Sequence, residues 1–216
     1  MFDTRWIDYY VDSLVDRYPS LSSVRENIAT SARILIEAYR AKGKLLVCGN
    51  GGSAADADHI VGELMKAFVM PRPVSHEFRE QLAAVEPEIG ERIADALQSG
   101  LPAIALTQHN ALVTAFSNDA DPSMVFAQQV AGYGVAGDVY LGITTSGNSK
   151  NVIYGAITAR ARGLRVIGLT GAGGGALAKY CDVCMAVPEK ETYKVQELHL
   201  PVYHALCLAI EKTMFS

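Results

Sequence analysis

The sequence predicts an α/β fold: a three-layer, doubly wound, flavodoxin-like sheet of five parallel strands. Short, continuous apolar runs recur at Leu45-Leu46-Val47-Cys48, Ala103-Ile104-Ala105-Leu106, Val139-Tyr140-Leu141-Gly142-Ile143, Val166-Ile167-Gly168-Leu169 and Val183-Cys184-Met185-Ala186-Val187. Such runs mark strands buried on both faces. Stretches of helical period separate them, and parallel neighbours need such crossovers. The third observation is bulk. Of 216 residues, 50% are hydrophobic and 19% charged, which supplies a large core and excludes intrinsic disorder. The length suits one domain, 1–216.

The elements follow in order. Ile7, Val11, Leu14 and Val15 predict a helix over 8–17, stopped by Tyr18-Pro19. Ser23-Val24-Arg25-Glu26 fits a capping box for a second helix through Ile28, Leu35 and Ile36, ended at Gly43. A helix over 54–68 follows the first strand. Residues 69–100 then disturb the rhythm with Pro71, Pro73 and an amphipathic stretch (Phe78, Leu82, Val85, Ile89, Ile93, Leu97) broken by Pro87. One or two extra helices are expected there, as a lid or a subunit contact near the edge where such sheets bind ligands. Asp121-Pro122 opens a helix over 122–131. Further helical stretches are 150–162, 176–180 and a long last one, 191–214.

Several functions are excluded. With 19 basic against 23 acidic residues and a net charge of -4, no basic surplus exists to coat a nucleic acid. No apolar run approaches the ~18 residues of a membrane span. Met1-Phe2-Asp3-Thr4-Arg5-Trp6 lacks the order of a signal peptide. Four cysteines are too few for a disulfide scaffold, so a soluble, cytoplasmic protein is expected. Cys181 and Cys184 overlap a strand, where alternation would turn their thiols opposite ways, and read as core filler.

Chemistry concentrates at two loops. Gly49-Asn50-Gly51-Gly52-Ser53 leads from the first strand into a helix, where backbone N–H groups can approach an anion. Ser53 also suits a helix N-cap. Taken alone, the glycines read more simply as a tight turn. Thr144-Thr145-Ser146-Gly147-Asn148-Ser149 follows the third strand and offers hydroxyls and a helix N-terminus to a phosphate, or a polar cap to its helix. Neither loop has the Walker lysine or the dinucleotide fingerprint. His59 and Glu63 share a helix face one turn apart, as a solvated pair or as partners at one ligand. The last helix carries Gln196, Glu197, His199 and His204. Gln196 and His204 stand ~12 Å apart along the axis, so a shared ion needs favourable placement or two subunits. Gly171-Ala172-Gly173-Gly174-Gly175 reads as a turn without a ligand.

In this order, Cys48-Gly49-Asn50-Gly51-Gly52-Ser53, His59-x-x-x-Glu63, Ser117-Asn118-Asp119, Thr145-Ser146-Gly147-Asn148-Ser149 and Gln196-Glu197-x-His199-x-x-x-x-His204 resemble the sugar-isomerase (SIS) domain family, in its branch of phosphoheptose isomerases. The resemblance implies conversion of sedoheptulose 7-phosphate to a glycero-manno-heptose 7-phosphate through an enediol. It implies Glu63 and His204 as the catalytic pair. Substrate would be held by Asn50, Gly51, Gly52, Ser53, Glu63, Asn118, Asp119, Thr144, Thr145, Ser146, Ser149 and Gln196. It implies Zn2+ on His59, Glu63, Gln196 and His204, and a homotetramer with active sites between subunits. Two alternatives within the resemblance are a non-catalytic scaffold that binds a replication-initiation protein and an isomerase of another sugar phosphate. The first tends to lose the acid/base pair, which this chain keeps. Two departures stand out: the 69–100 excursion is longer than the family's link there, which bears on substrate identity more than on reaction type, and Thr144 replaces the family's serine. Gly62 also stands where a second acidic group is frequent.

Overall fold

The computed structural model describes residues 5–216. The leader reading at Met1–Thr4 lies outside them. The chain runs α1 (Arg5–Arg17), α2 (Arg25–Arg40), β1 (Leu45–Cys48), α3 (Gly52–Met65), α4 (His76–Val85), α5 (Pro87–Ala96) and β2 (Ala103–Ala105). It continues with α6 (Asn110–Asp119), α7 (Val125–Tyr133), β3 (Val139–Thr144), α8 (Lys150–Ala161), β4 (Arg165–Thr170), β5 (Val183–Ala186) and α9 (Thr192–Phe215). All five apolar runs became strands. They pair in parallel in the order β2-β1-β3-β4-β5, the order of a flavodoxin-like sheet.

Alternation along each strand divides two cores. Leu45, Val47, Leu141 and Ile143 face α1, α2, α3 and α9, packing on Ile7, Ile28, Ile60 and Val202. Leu46, Cys48 and Tyr140 face α7 and α8, packing on Phe126, Val130 and Val152. Three layers result. The order reverses between β1 and β3, whose following helices leave to opposite faces, and this opens a crevice at the strand C-termini.

Some local expectations are corrected. A 3-10 segment, Pro19–Val24, absorbs Ser23, so α2 is capped by Val24 without a side-chain bond, and Glu26 turns to Arg33 instead. The helix ends at Arg40, and the left-handed residue is Lys42, not Gly43. Residues 178–180 make only a 3-10 turn. Ser53 lies inside α3, whose N-cap is Gly51 at φ 55. Cys181 precedes β5, so strand alternation does not govern it: a Cβ on Gly168 would lie 2.9 Å from its sulfur and 3.2 Å from that of Cys184. Helix α6 was not anticipated. The 69–100 excursion forms a hairpin, α4 against α5, with Val85 and Ile89 exposed. No helix among the described residues is long and apolar enough to cross a membrane.

Candidate active site

The loops after β1 and β3 face each other across the crevice. A cavity of about 360 Å³ is lined by Asn50, Gly51, Gly52, Ser53, Thr144, Thr145, Ser149 and Gln196. The β3 loop is tightly built: the Thr144 and Ser149 hydroxyls share a hydrogen bond of 2.9 Å, and Gly147 N–H donates to the Thr144 carbonyl. Gly147 adopts φ 68. Helices α3 and α8 both begin here, so their unpaired N–H groups favour an anion. Ser146 is turned away, its Oγ accepting from Asn148 N–H.

The second glycine loop has a role that sequence reading missed. Gly171 N–H donates to the Thr145 carbonyl at 2.9 Å, Leu177 N–H to that of Gly147 at 2.9 Å, and Ala176 N–H to Asn148 Oδ1 at 3.0 Å. Residues 171–177 thus brace the candidate anion loop from behind. Asn151 was also missed. Its amide exchanges two hydrogen bonds with Asn50, of 2.9 and 2.8 Å, tying the two sides of the crevice together. Beyond that pair lies a second cavity of about 350 Å³, lined by Thr107, Ser117 and Asn151 among others. Asn118 and Asp119 lie at the end of α6 and bond to one another.

The reactive candidates gather elsewhere on the same helices. Helices α3 and α9 pack together, and they pair Gln196 with Gly52 at one end and His204 with His59 at the other. His59 Nε2 is 3.2 Å from Glu63 Oε1, and its ring stands edge-on to His204 at 5.0 Å. Lys66 Nζ is 3.3 Å from the other Glu63 oxygen. The Tyr203 hydroxyl lies 3.0 Å from His59 Nδ1 and donates to Asp56 Oδ1 at 3.3 Å, which fixes the ring with Nε2 towards Glu63. Desolvation raises Asp56, opposed by the Tyr203 hydrogen bond and His59. Burial, with His59 beside it, lowers the His204 pKa, and Glu63 opposes that shift. His204 Nε2 is buried without a hydrogen-bond partner. His204 lines a small cavity of about 110 Å³ with Arg17 and Phe68.

One chain therefore gathers Glu63, His59 and His204 but leaves Gln196 at the anion loop. Pro201 lies between Gln196 and His204, where it removes the hydrogen bond to the Glu197 carbonyl without ending α9. Among the described residues, no three His, Cys, Asp or Glu side chains are arranged to hold a metal ion. The donors suit zinc by type, yet a single chain does not assemble the four.

A family model described as SIS domain matches residues 9–93 and 84–171. The chain belongs to the SIS domain family. Among its SIS relatives, the phosphoheptose isomerase of Roseiflexus sp. (strain RS-1) is 38% identical over 213 residues, covering 98% of this chain and 95% of that protein. Two solved phosphoheptose isomerases share the fold. That of Neisseria gonorrhoeae matches at a TM-score of 0.73 and 33% identity, over 94% of this chain and 95% of its own. That of Francisella tularensis matches at 0.74 and 31%, over 98% and 100%.

Proposed function

We propose that this chain isomerises sedoheptulose 7-phosphate to glycero-manno-heptose 7-phosphate. The observation that carries the reading is the meeting of Glu63, His59 and His204 in a chain that also builds an anion cradle at its β1 and β3 loops. The kinship with phosphoheptose isomerases along nearly its whole length supports the choice of sugar.

The chemistry follows from the residue types. The Gly51–Ser53 and Thr144–Ser149 loops hold the phosphate through N–H groups and hydroxyls, which leaves the carbonyl end free to extend. The Glu63 carboxylate takes a proton from carbon 1 of the ketose, and the C1–H electron pair becomes the C1–C2 double bond of an enediol as oxygen 2 gains a proton. Return of a proton to carbon 2, with loss of the proton on oxygen 1, leaves the aldehyde. A neutral imidazole can both donate and accept, and the lowered pKa of His204 keeps it neutral for the oxygen transfers. His59, Glu63, Gln196 and His204 are the residues that would hold zinc, which when bound polarises the carbonyl.

The proposal extends to a homotetramer with active sites between subunits. Gly52 and Glu63 stand eleven positions apart on α3, roughly 16 Å along its axis. In an extended seven-carbon phosphate the phosphorus is only roughly 8 Å from carbon 2. A substrate in the cradle of one copy thus falls short of Glu63 in that copy. Pairing that cradle with the Glu63–His204 cluster of a second copy answers the mismatch, and the exposed apolar side chains of the α4–α5 hairpin favour assembly. Four free cysteines suit the cytoplasm.

Turnover of sedoheptulose 7-phosphate against a panel of five- to seven-carbon ketose phosphates tests the substrate. Glu63→Gln should abolish activity and leave assembly intact. Mixing that variant with an inactive cradle variant, Thr145→Glu, tests the shared site. Random assembly should restore about a quarter of the sites if they span subunits, whereas no recovery places each site within one chain.

A further inference from the structure

Arg72 is a fully buried cation in the link that leaves α3, set between Pro71 and Pro73. Its partner, Glu211, is equally buried and lies on α9, two helical turns beyond His204. Arg72 Nε donates to Glu211 Oε1 at 2.7 Å, and Nη2 lies 2.6 Å from the same oxygen. The remaining guanidinium N–H groups reach backward: Nη1 donates to the Leu64 carbonyl at 2.8 Å and Nη2 to the Glu63 carbonyl at 3.2 Å. Glu211 in turn accepts from Phe68 N–H at 2.8 Å and Val69 N–H at 2.9 Å. The Phe215 ring closes the group, 4.6 Å from the guanidinium carbon.

Every bond of this pair runs to the end of α3 or to the segment leaving it. The last carbonyls of a helix have no partner within it, and here the guanidinium supplies one to the residue whose side chain is the base. Stability alone is a poor reason for such a pair, since buried ion pairs are often replaced by apolar groups of similar volume at no loss. Its particular product is geometry. It fastens the turn bearing Glu63 to the helix bearing His204.

We infer that Arg72 and Glu211 are positioning residues of the isomerase, a clamp that sets the Glu63 carboxylate against His204; this rests on the function proposed above. Arginine suits the role because its planar fork serves a carboxylate and two carbonyls at once, which a lysine cannot do.

The test is the double substitution Arg72→Met with Glu211→Met, and Arg72→Lys beside it. The double variant removes both charges together, so neither is left buried alone. Expected are intact assembly, a melting temperature lowered by the Phe68 and Val69 N–H groups left without Glu211, KM within about twofold, and kcat per folded site lower by about ten- to a hundredfold, as misplacement of a reacting group costs. Arg72→Lys should fall between the wild type and the double variant. A merely structural pair would instead lower the folded fraction and leave kcat per folded site unchanged, and that result overturns the inference. If the double variant does not fold, an unchanged kcat in Arg72→Lys overturns it equally. A wild-type chain inert towards sedoheptulose 7-phosphate sinks the functional reading and the clamp with it, whereas an active wild type with unaffected variants sinks the clamp alone.

Discussion

His199 makes stability depend on acidity in a way that can be worked from its surroundings. It sits on α9 with none of its surface exposed, and neither ring nitrogen meets a hydrogen-bond partner. The Thr170 backbone lies near enough to oppose the shift but outside bonding geometry, and burial pushes the imidazole from 6.5 down to about 4. The folded chain thus refuses a proton that the unfolded chain accepts between these values. Stability is complete above about pH 6.5 and declines as the pH falls towards 4, because the unfolded state binds more protons there. Each unit corresponds to about 1.4 kcal/mol, so the loss is about 2 kcal/mol at pH 5 and about 3 kcal/mol at pH 4. Urea unfolding of the wild type and His199→Leu, at about pH 7 and about pH 5 and one fixed protein concentration, measures it. The wild type should lose about 2 kcal/mol more than the variant between the two conditions. Equal losses would refute the assignment, since other groups titrate alike in both proteins.

Other substitutions separate binding from folding. A Cβ at Gly52 would collide with the Gln196 amide, the far end of a flexible side chain. Gly52→Ala should therefore keep its melting temperature while KM rises several-fold in steady-state assays. Gly147 holds φ 68, and a Cβ added there would meet the Gly174 carbonyl and, at 2.8 Å, Gly175 Cα. Gly147→Ala should cost at least about 1–2 kcal/mol in urea unfolding, because neither obstacle is a side chain that can swing aside. A chelator should lower turnover and added zinc restore it; turnover indifferent to both removes the metal from the proposal.

How much of this was legible depends on what each residue's neighbours are. The sheet could be read because a doubly buried strand writes an unbroken apolar run, and β1 to β5 all do so. Helix α6 fully buries no residue and lays Val113 only partly on the second core, so its apolar stripe is short. The capping-box pattern at Ser23 was real chemistry in the wrong place, overridden when Pro19 started a 3-10 segment. The two anion loops were recognisable from glycine and hydroxyl spacing. Their brace at 171–177 was not, because its bonds run from backbone N–H groups, which sequence does not single out. Arg72 was hidden for a related reason. A lone arginine in a proline-bearing link looks solvated, and its partner lies 139 residues away.

The separation between cradle and reactive pair follows from the fold. A doubly wound sheet supplies anion-binding helix N-termini only at the C-terminal edge of its strands, and here that edge is the β1/β3 crevice. A base on α3 must either sit in its first turn, within reach of a bound phosphate's own sugar, or lie farther down and meet a sugar held by another copy. Under the proposed function Glu63 takes the second option, three turns on. Lower on the helix, it is within reach of His204 on α9 and of an anchoring carboxylate at Glu211, neither of which the first turn could meet. The same placement that denies Glu63 the cradle of its own chain gives it His59 to orient it and a rigid end to stand on. In that arrangement, loss of assembly should silence the enzyme even where every residue of the single chain keeps its place.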